Sequence, residues 1–92
     1  MKVNFYAGLR QAVGAKSIEL DLPAETRIAG LLAQVVEKYP AVRAKLLDDQ
    51  GGLLAHNHIF VNGRDILYLP DGPSTVLDPA DAVDIFPPVG GG

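Results

Sequence analysis

The chain has no cysteine. A disulfide scaffold, a thiolate metal site and a cysteine nucleophile are excluded together. It also lacks an apolar run long enough to span a bilayer and a signal-peptide pattern near its start, so a cytoplasmic location is expected. Positive charge is sparse: eight Lys and Arg stand against eleven Asp and Glu, for a net charge of −3. The basic residues are scattered from Lys2 to Arg64 and never cluster, which argues against nucleic acid and against a membrane surface as partners. The length of 92 residues allows one domain.

What the sequence does contain is a change of period along the chain. Residues 2–7 mix β-branched and aromatic residues with polar ones and predict a strand, with Val3, Phe5 and Ala7 inward and Lys2, Asn4 and Tyr6 outward. Gly8 and Gly14 bracket a connection, and residues 17–22 alternate with Ile18, Leu20 and Leu22 on one face. An N-terminal hairpin with a six- to nine-residue loop is expected. Ile28, Leu31, Leu32, Val35, Val36 and Tyr39 then fall on one helical stripe, predicting a helix over 27–39 with Thr26 as N-cap and Pro40 as its stop. Gly30 lies on the outer face of that helix, where glycine costs about 1 kcal/mol relative to alanine.

A short second helix is expected over 41–47, followed by a strand over 57–61 and an Asn62-Gly63 hairpin turn. The return limb is expected from Arg64 through Ile66 to Tyr68. Turns flank a short segment at 74–77, and residues 82–86 form the last strand, with Val83 and Ile85 on one face. This order predicts an α+β architecture, a small mixed sheet with one main helix on one face. The ubiquitin-like β-grasp is its natural candidate, and that fold implies first and last strands paired in parallel at the centre.

Glycine and proline are concentrated late: of ten glycines and seven prolines, nine residues fall between Pro70 and Gly92. Pro87 and Pro88 lack backbone donors and must end the last strand. Val89, Gly90, Gly91 and Gly92 follow, so a β-grasp domain over 1–86 and a flexible tail over 87–92 are expected. Extended, the tail reaches roughly 20 Å. Without Cβ atoms its last residues can thread a narrow channel, and the α-carboxylate is its one reactive group. The plain alternative is a frayed end.

The ending Phe86-Pro87-Pro88-Val89-Gly90-Gly91-Gly92 resembles that of the MoaD/ThiS-type ubiquitin-like sulfur carriers, especially the molybdopterin synthase small subunit. The opening Val3-Asn4-Phe5-Tyr6-Ala7-Gly8-Leu9-Arg10 and the pair Tyr39-Pro40 are similar to the same family. The resemblance implies that an E1-like enzyme of the MoeB/ThiF type adenylates Gly92 with ATP. The resulting thiocarboxylate would donate sulfur in molybdenum cofactor synthesis with a large subunit of the MoaE type. Relatives serve thiamin, cysteine or tRNA thiolation, and some are conjugated to proteins. The chain would be a non-catalytic carrier with no stably bound cofactor. Two departures stand out: Ala80-Asp81 replaces Gly-Asp, and Gly90 replaces Ala, Ser or Thr. Extra residues around 41–57 favour the molybdopterin-type branch or the archaeal and thermophile branch over the thiamin type.

Other candidate sites are weaker. If the strand parities hold, Tyr6, Phe60 and Phe86 form an exposed aromatic patch for partner docking; if one parity slips, some of them belong to the core. His56 and His58 share a strand face but lack the further ligands of a zinc site. Asp48-Asp49 reads as a solvated turn, Ser74 and Thr75 have no evident base, and Arg64 is either solvated or docks an acidic partner. An interaction domain with an inert tail is the remaining reading.

Overall fold

The computed structural model describes residues 1–54 and 57–87. Strand β1 (Lys2–Phe5) pairs antiparallel with β2 (Ser17–Glu19) and parallel with β5 (Ala82–Phe86). On its other side β5 pairs antiparallel with β3 (His58–Val61), which carries the edge strand β4 (Arg64–Asp65). The sheet order is β2-β1-β5-β3-β4. The middle strand β5 and its parallel neighbour β1 thus come from the two ends of the described chain.

Alternation along these strands sorts the side chains. Val3 and Phe5 of β1, Ile59 of β3, and Val83 and Ile85 of β5 are fully buried. Against them packs helix α2 (Ile28–Lys38), which buries Ile28, Leu31, Leu32 and Val35. Each such aliphatic side chain contributes about 1.5–3 kcal/mol on burial. A 3-10 turn (Pro40–Val42) and the short α3 (Arg43–Leu46) add Val42 and Leu46 to the core.

Several local expectations are corrected. The first connection is not a plain loop but contains α1 (Gly8–Val13), which buries Leu9 and Val13 and ends at Gly14 with φ 85°. Ala7 does not face inward. It is exposed with φ 53°, because the chain leaves the sheet there to enter α1. Strand β2 ends at Glu19, although Leu20 remains buried. Arg27, not Thr26, is the N-cap of α2, and no side chain caps that end. The Thr26 hydroxyl instead donates to the Pro23 carbonyl at 2.6 Å. Its methyl group lies 3.3 Å from where a Cβ on Gly30 would sit, so the glycine gives the Thr26 side chain room.

The return limb after Asn62-Gly63 stops at Asp65. Its carboxylate accepts the Leu67 amide at 2.9 Å and starts a 3-10 turn (Ile66–Tyr68) in place of a longer strand. The 74–77 segment crosses beside α2, where Val76 bridges Arg27. Ala80 takes no positive φ, so a turn built on Asp78 and Pro79 accepts alanine there.

Candidate functional site

Cross-strand partners share a face, so the register defines the side of the sheet away from α2. Asn4 lies opposite Asp84, Asp84 opposite Phe60, and Phe86 opposite His58. Tyr6, one residue past β1, joins this face beside Phe86. The two rings stack with centroids 4.0 Å apart and planes 11° apart. Phe60 meets Phe86 edge-on at 5.3 Å. Both arrangements are favoured by the ring quadrupoles. All three aromatics are half-buried, so they form a surface cluster and not part of the core.

A polar network on the same face holds Tyr6. Asp84 Oδ1 accepts the Asn4 amide at 2.8 Å and the Tyr6 hydroxyl at 3.0 Å. The Arg10 guanidinium lies 5.1 Å from the Tyr6 ring centroid and donates through Nε to the Phe5 carbonyl at 2.7 Å. The Tyr6 hydroxyl is held above its ordinary pKa, first because it donates to Asp84. Desolvation and the Asp84 charge push it the same way, against a smaller opposing pull from Arg10.

Asp84 and Asn4 were not singled out from the sequence. The signal was present, since the alternation that turns Tyr6 and Phe86 outward turns their i−2 neighbours outward as well.

The remaining candidates separate. His58 Nδ1 donates to Asp65 Oδ2 at 3.1 Å, and His56 lies outside the described residues. Arg64 is exposed beside its turn. Asp48 caps a surface turn by accepting the Gln50 and Gly52 amides, while Thr75 donates to the Gly72 carbonyl and Ser74 accepts from Arg27. Leu67 and Tyr68, which the sequence places on the expected return limb, are 76% and 79% exposed. Pro87 follows β5 directly and is half-buried. Pro88, Val89, Gly90, Gly91 and Gly92, the rest of the expected tail, lie outside the described residues.

Among the described residues no helix is long and apolar enough to cross a membrane.

A mixed five-stranded sheet with parallel central strands and a helix across one face defines a ubiquitin-like β-grasp protein. The sequence model of the ThiS family matches residues 3–92, and the chain belongs to that family of ubiquitin-like sulfur carriers. Small archaeal modifier protein 3 of Haloferax volcanii is 35% identical over 92 residues, all of this chain and 98% of that one. The solution structure of small archaeal modifier protein 1 from Methanosarcina acetivorans is 32% identical with a TM-score of 0.81, covering 99% of this chain and 94% of its own. A candidate molybdopterin converting factor subunit 1 from Pyrococcus furiosus is 26% identical with a TM-score of 0.76, covering 96% and 95%.

Proposed function

We propose that this protein carries sulfur on the carboxyl group of Gly92. The observation that carries the reading is the continuity of β5: Phe86 is at once the last residue of the strand, a member of the aromatic cluster and the residue before Pro87. A partner that grips Tyr6, Phe60 and Phe86 therefore sits at the root of the tail. In this reading Pro87 and Pro88, which lack backbone donors, cannot extend the sheet's hydrogen-bond ladder, and Val89, Gly90 and Gly91 thread the partner's channel.

The chemistry needs an external enzyme of the E1-like, MoeB/ThiF type. A carboxylate oxygen of Gly92 attacks the α-phosphate of ATP and expels pyrophosphate. A hydrosulfide equivalent then attacks the acyl-adenylate carbonyl, AMP leaves, a proton is released, and a thiocarboxylate remains. The carrier contributes the acyl group and the docking face. Its side chains supply neither nucleophile nor general base, and with no cysteine in the chain the sulfur has no side-chain alternative. ATP belongs to the activating enzyme, and the carrier holds no cofactor of its own.

The acceptor we favour is a molybdopterin precursor held by a MoaE-type large subunit, supported by the resemblance of the tail and by the likeness to the Pyrococcus protein. The names of the Haloferax and Methanosarcina relatives favour a second reading, in which the activated Gly92 acyl group passes to lysines of other proteins.

Intact-mass measurement tests the common step. After incubation with the E1-like enzyme, ATP and a sulfur source, one oxygen should be replaced by sulfur at Gly92. An unchanged mass beside an enzyme of proven activity overturns the proposal. Isopeptide-linked glycine remnants on cellular lysines would establish the modifier reading. Their absence, with molybdopterin formed in a reconstituted reaction, would establish the first.

A further inference from the structure

We infer that Asp84 is the anchor for a cationic side chain, an arginine, on the partner that docks against the aromatic face. The inference rests on the docking role proposed above for Tyr6, Phe60 and Phe86 and adds what the partner must bring. Asp84 stands on the central strand, opposite Asn4 on one side and Phe60 on the other. Both of its recorded hydrogen bonds, from Asn4 and from Tyr6, fall on the same oxygen, Oδ1. Among the described residues, Oδ2 has no hydrogen bond and Asp84 no ion pair. The cations that share the neighbourhood do not supply one. Arg10 is committed to the Phe5 carbonyl and the Tyr6 ring, His58 is paired with Asp65, and Lys2 forms no ion pair with Asp84.

The carboxylate is thus oriented and half-buried, with one oxygen unused, on a face where Tyr6, Phe60 and Phe86 stand beside the polar Asn4, His58 and Asp65. A partner covering Phe60 and Phe86 removes water from that oxygen. An unpaired carboxylate left under such an interface is strongly unfavourable, so a partner that binds there must present a cation to Asp84. Arginine fits better than lysine. Its planar guanidinium can lie against an aromatic ring and still donate to Oδ2, whereas an ammonium is a compact, strongly hydrated charge. The aromatic faces and the carboxylate act on the same group, which gives the docking a charge requirement that apolar contact alone would lack.

The test measures the affinity of the purified E1-like adenylating enzyme from the same organism for the full chain across a range of salt concentrations. Three chains are compared: the unchanged protein, Asp84→Asn and Phe86→Ala. Asparagine keeps an oxygen that can accept from Asn4 and Tyr6 and removes only the charge. Asp84→Asn should weaken binding by about 10- to 100-fold and flatten the salt dependence. Phe86→Ala should weaken binding while leaving the salt dependence in place. Asp84→Lys, which sets like charges against each other, should weaken binding further than Asp84→Asn.

If Phe86→Ala weakens binding and Asp84→Asn does not, the anchor is overturned and the docking face stands. If Asp84→Asn weakens binding with an unchanged salt dependence, the residue acts only through its network with Asn4 and Tyr6, and the inference fails. If neither substitution has an effect, the enzyme docks elsewhere and both readings fall. Circular dichroism melts of each variant identify any loss that comes from unfolding, and the salt slope of the folded fraction then decides.

Discussion

Tyr6 and Phe86 stack ring on ring, 4.0 Å between centroids, although one follows the first strand and the other ends the last. Their contact depends on the parallel register that sets Phe5 beside Ile85. Replacing Phe86 with alanine removes this stack and the edge contact with Phe60. Because the ring is only half-buried, the expected loss of stability is about 1–2 kcal/mol, below the roughly 3–5 kcal/mol of a core phenylalanine. Urea denaturation measures it. Affinity for the adenylating enzyme should fall by a larger factor than that stability change alone would produce.

The Tyr6 hydroxyl has its own signature in alkali. Its pKa is raised above the ordinary tyrosine value of 10.0, chiefly by the hydrogen bond it donates to Asp84. A raised folded-state pKa favours the protonated phenol, so the contribution to stability is complete below the unfolded-state pKa. It is lost as pH rises through the higher folded-state pKa. Ultraviolet titration should therefore show a late-ionising tyrosine that is missing from Tyr6→Phe. Asp84→Asn should move that step down toward the ordinary value.

Ile85 is fully buried in the central strand, between β1 and β3. Ile85→Ala should cost about 2–5 kcal/mol, the transfer term plus a cavity that a central strand cannot close. A shift of the urea midpoint at unchanged slope is the expected form.

Asn62 combines backbone and side-chain roles at the β3–β4 turn. It adopts φ 51° beside Gly63 at φ 83°, its amide donates to Asp81 Oδ1 at 2.8 Å, and its side-chain oxygen accepts from the Ala82 amide at 2.9 Å. Asn62→Ala should destabilise by about 1–2 kcal/mol, from left-handed strain and two lost hydrogen bonds. Asn62→Gly restores only the conformational part. A melting comparison of the two variants separates the contributions.

Deleting Gly92 should leave the melting curve unchanged, since the described core runs from Val3 to Ile85. It should abolish sulfur loading completely. Mass spectrometry of the loading reaction, run beside the melt, checks both halves.

The periodic parts of the sequence were legible because burial imposes the period. The α2 stripe from Ile28 to Val35 and the inward Val83 and Ile85 follow from one face meeting water and the other the core. Asn62-Gly63 was legible because few residue pairs accept two successive positive φ values. The short elements were not. Helix α1 spans six residues, too few to form by propensity alone, and exists because Leu9 and Val13 reach the core. Residues 66–68 looked like a strand until the Asp65 side chain took the Leu67 amide. At the candidate site the three aromatics followed from parity. The Asp84 contacts did not, because the choice of Asn4 and Tyr6 as donors depends on the register between β1 and β5, which parity leaves open.

Parallel pairing of β1 with β5 also bears on how the protein is made. The centre of the sheet cannot close until residues as late as Phe86 have been synthesised, so folding must carry the loop-closure cost of joining the first strand to the last. A nascent chain stopped before β5 would lack Val83 and Ile85 inside and Asp84 and Phe86 outside. The face that would greet a partner is therefore assembled by the same strand that completes the core, and an unfinished chain has no such face to offer.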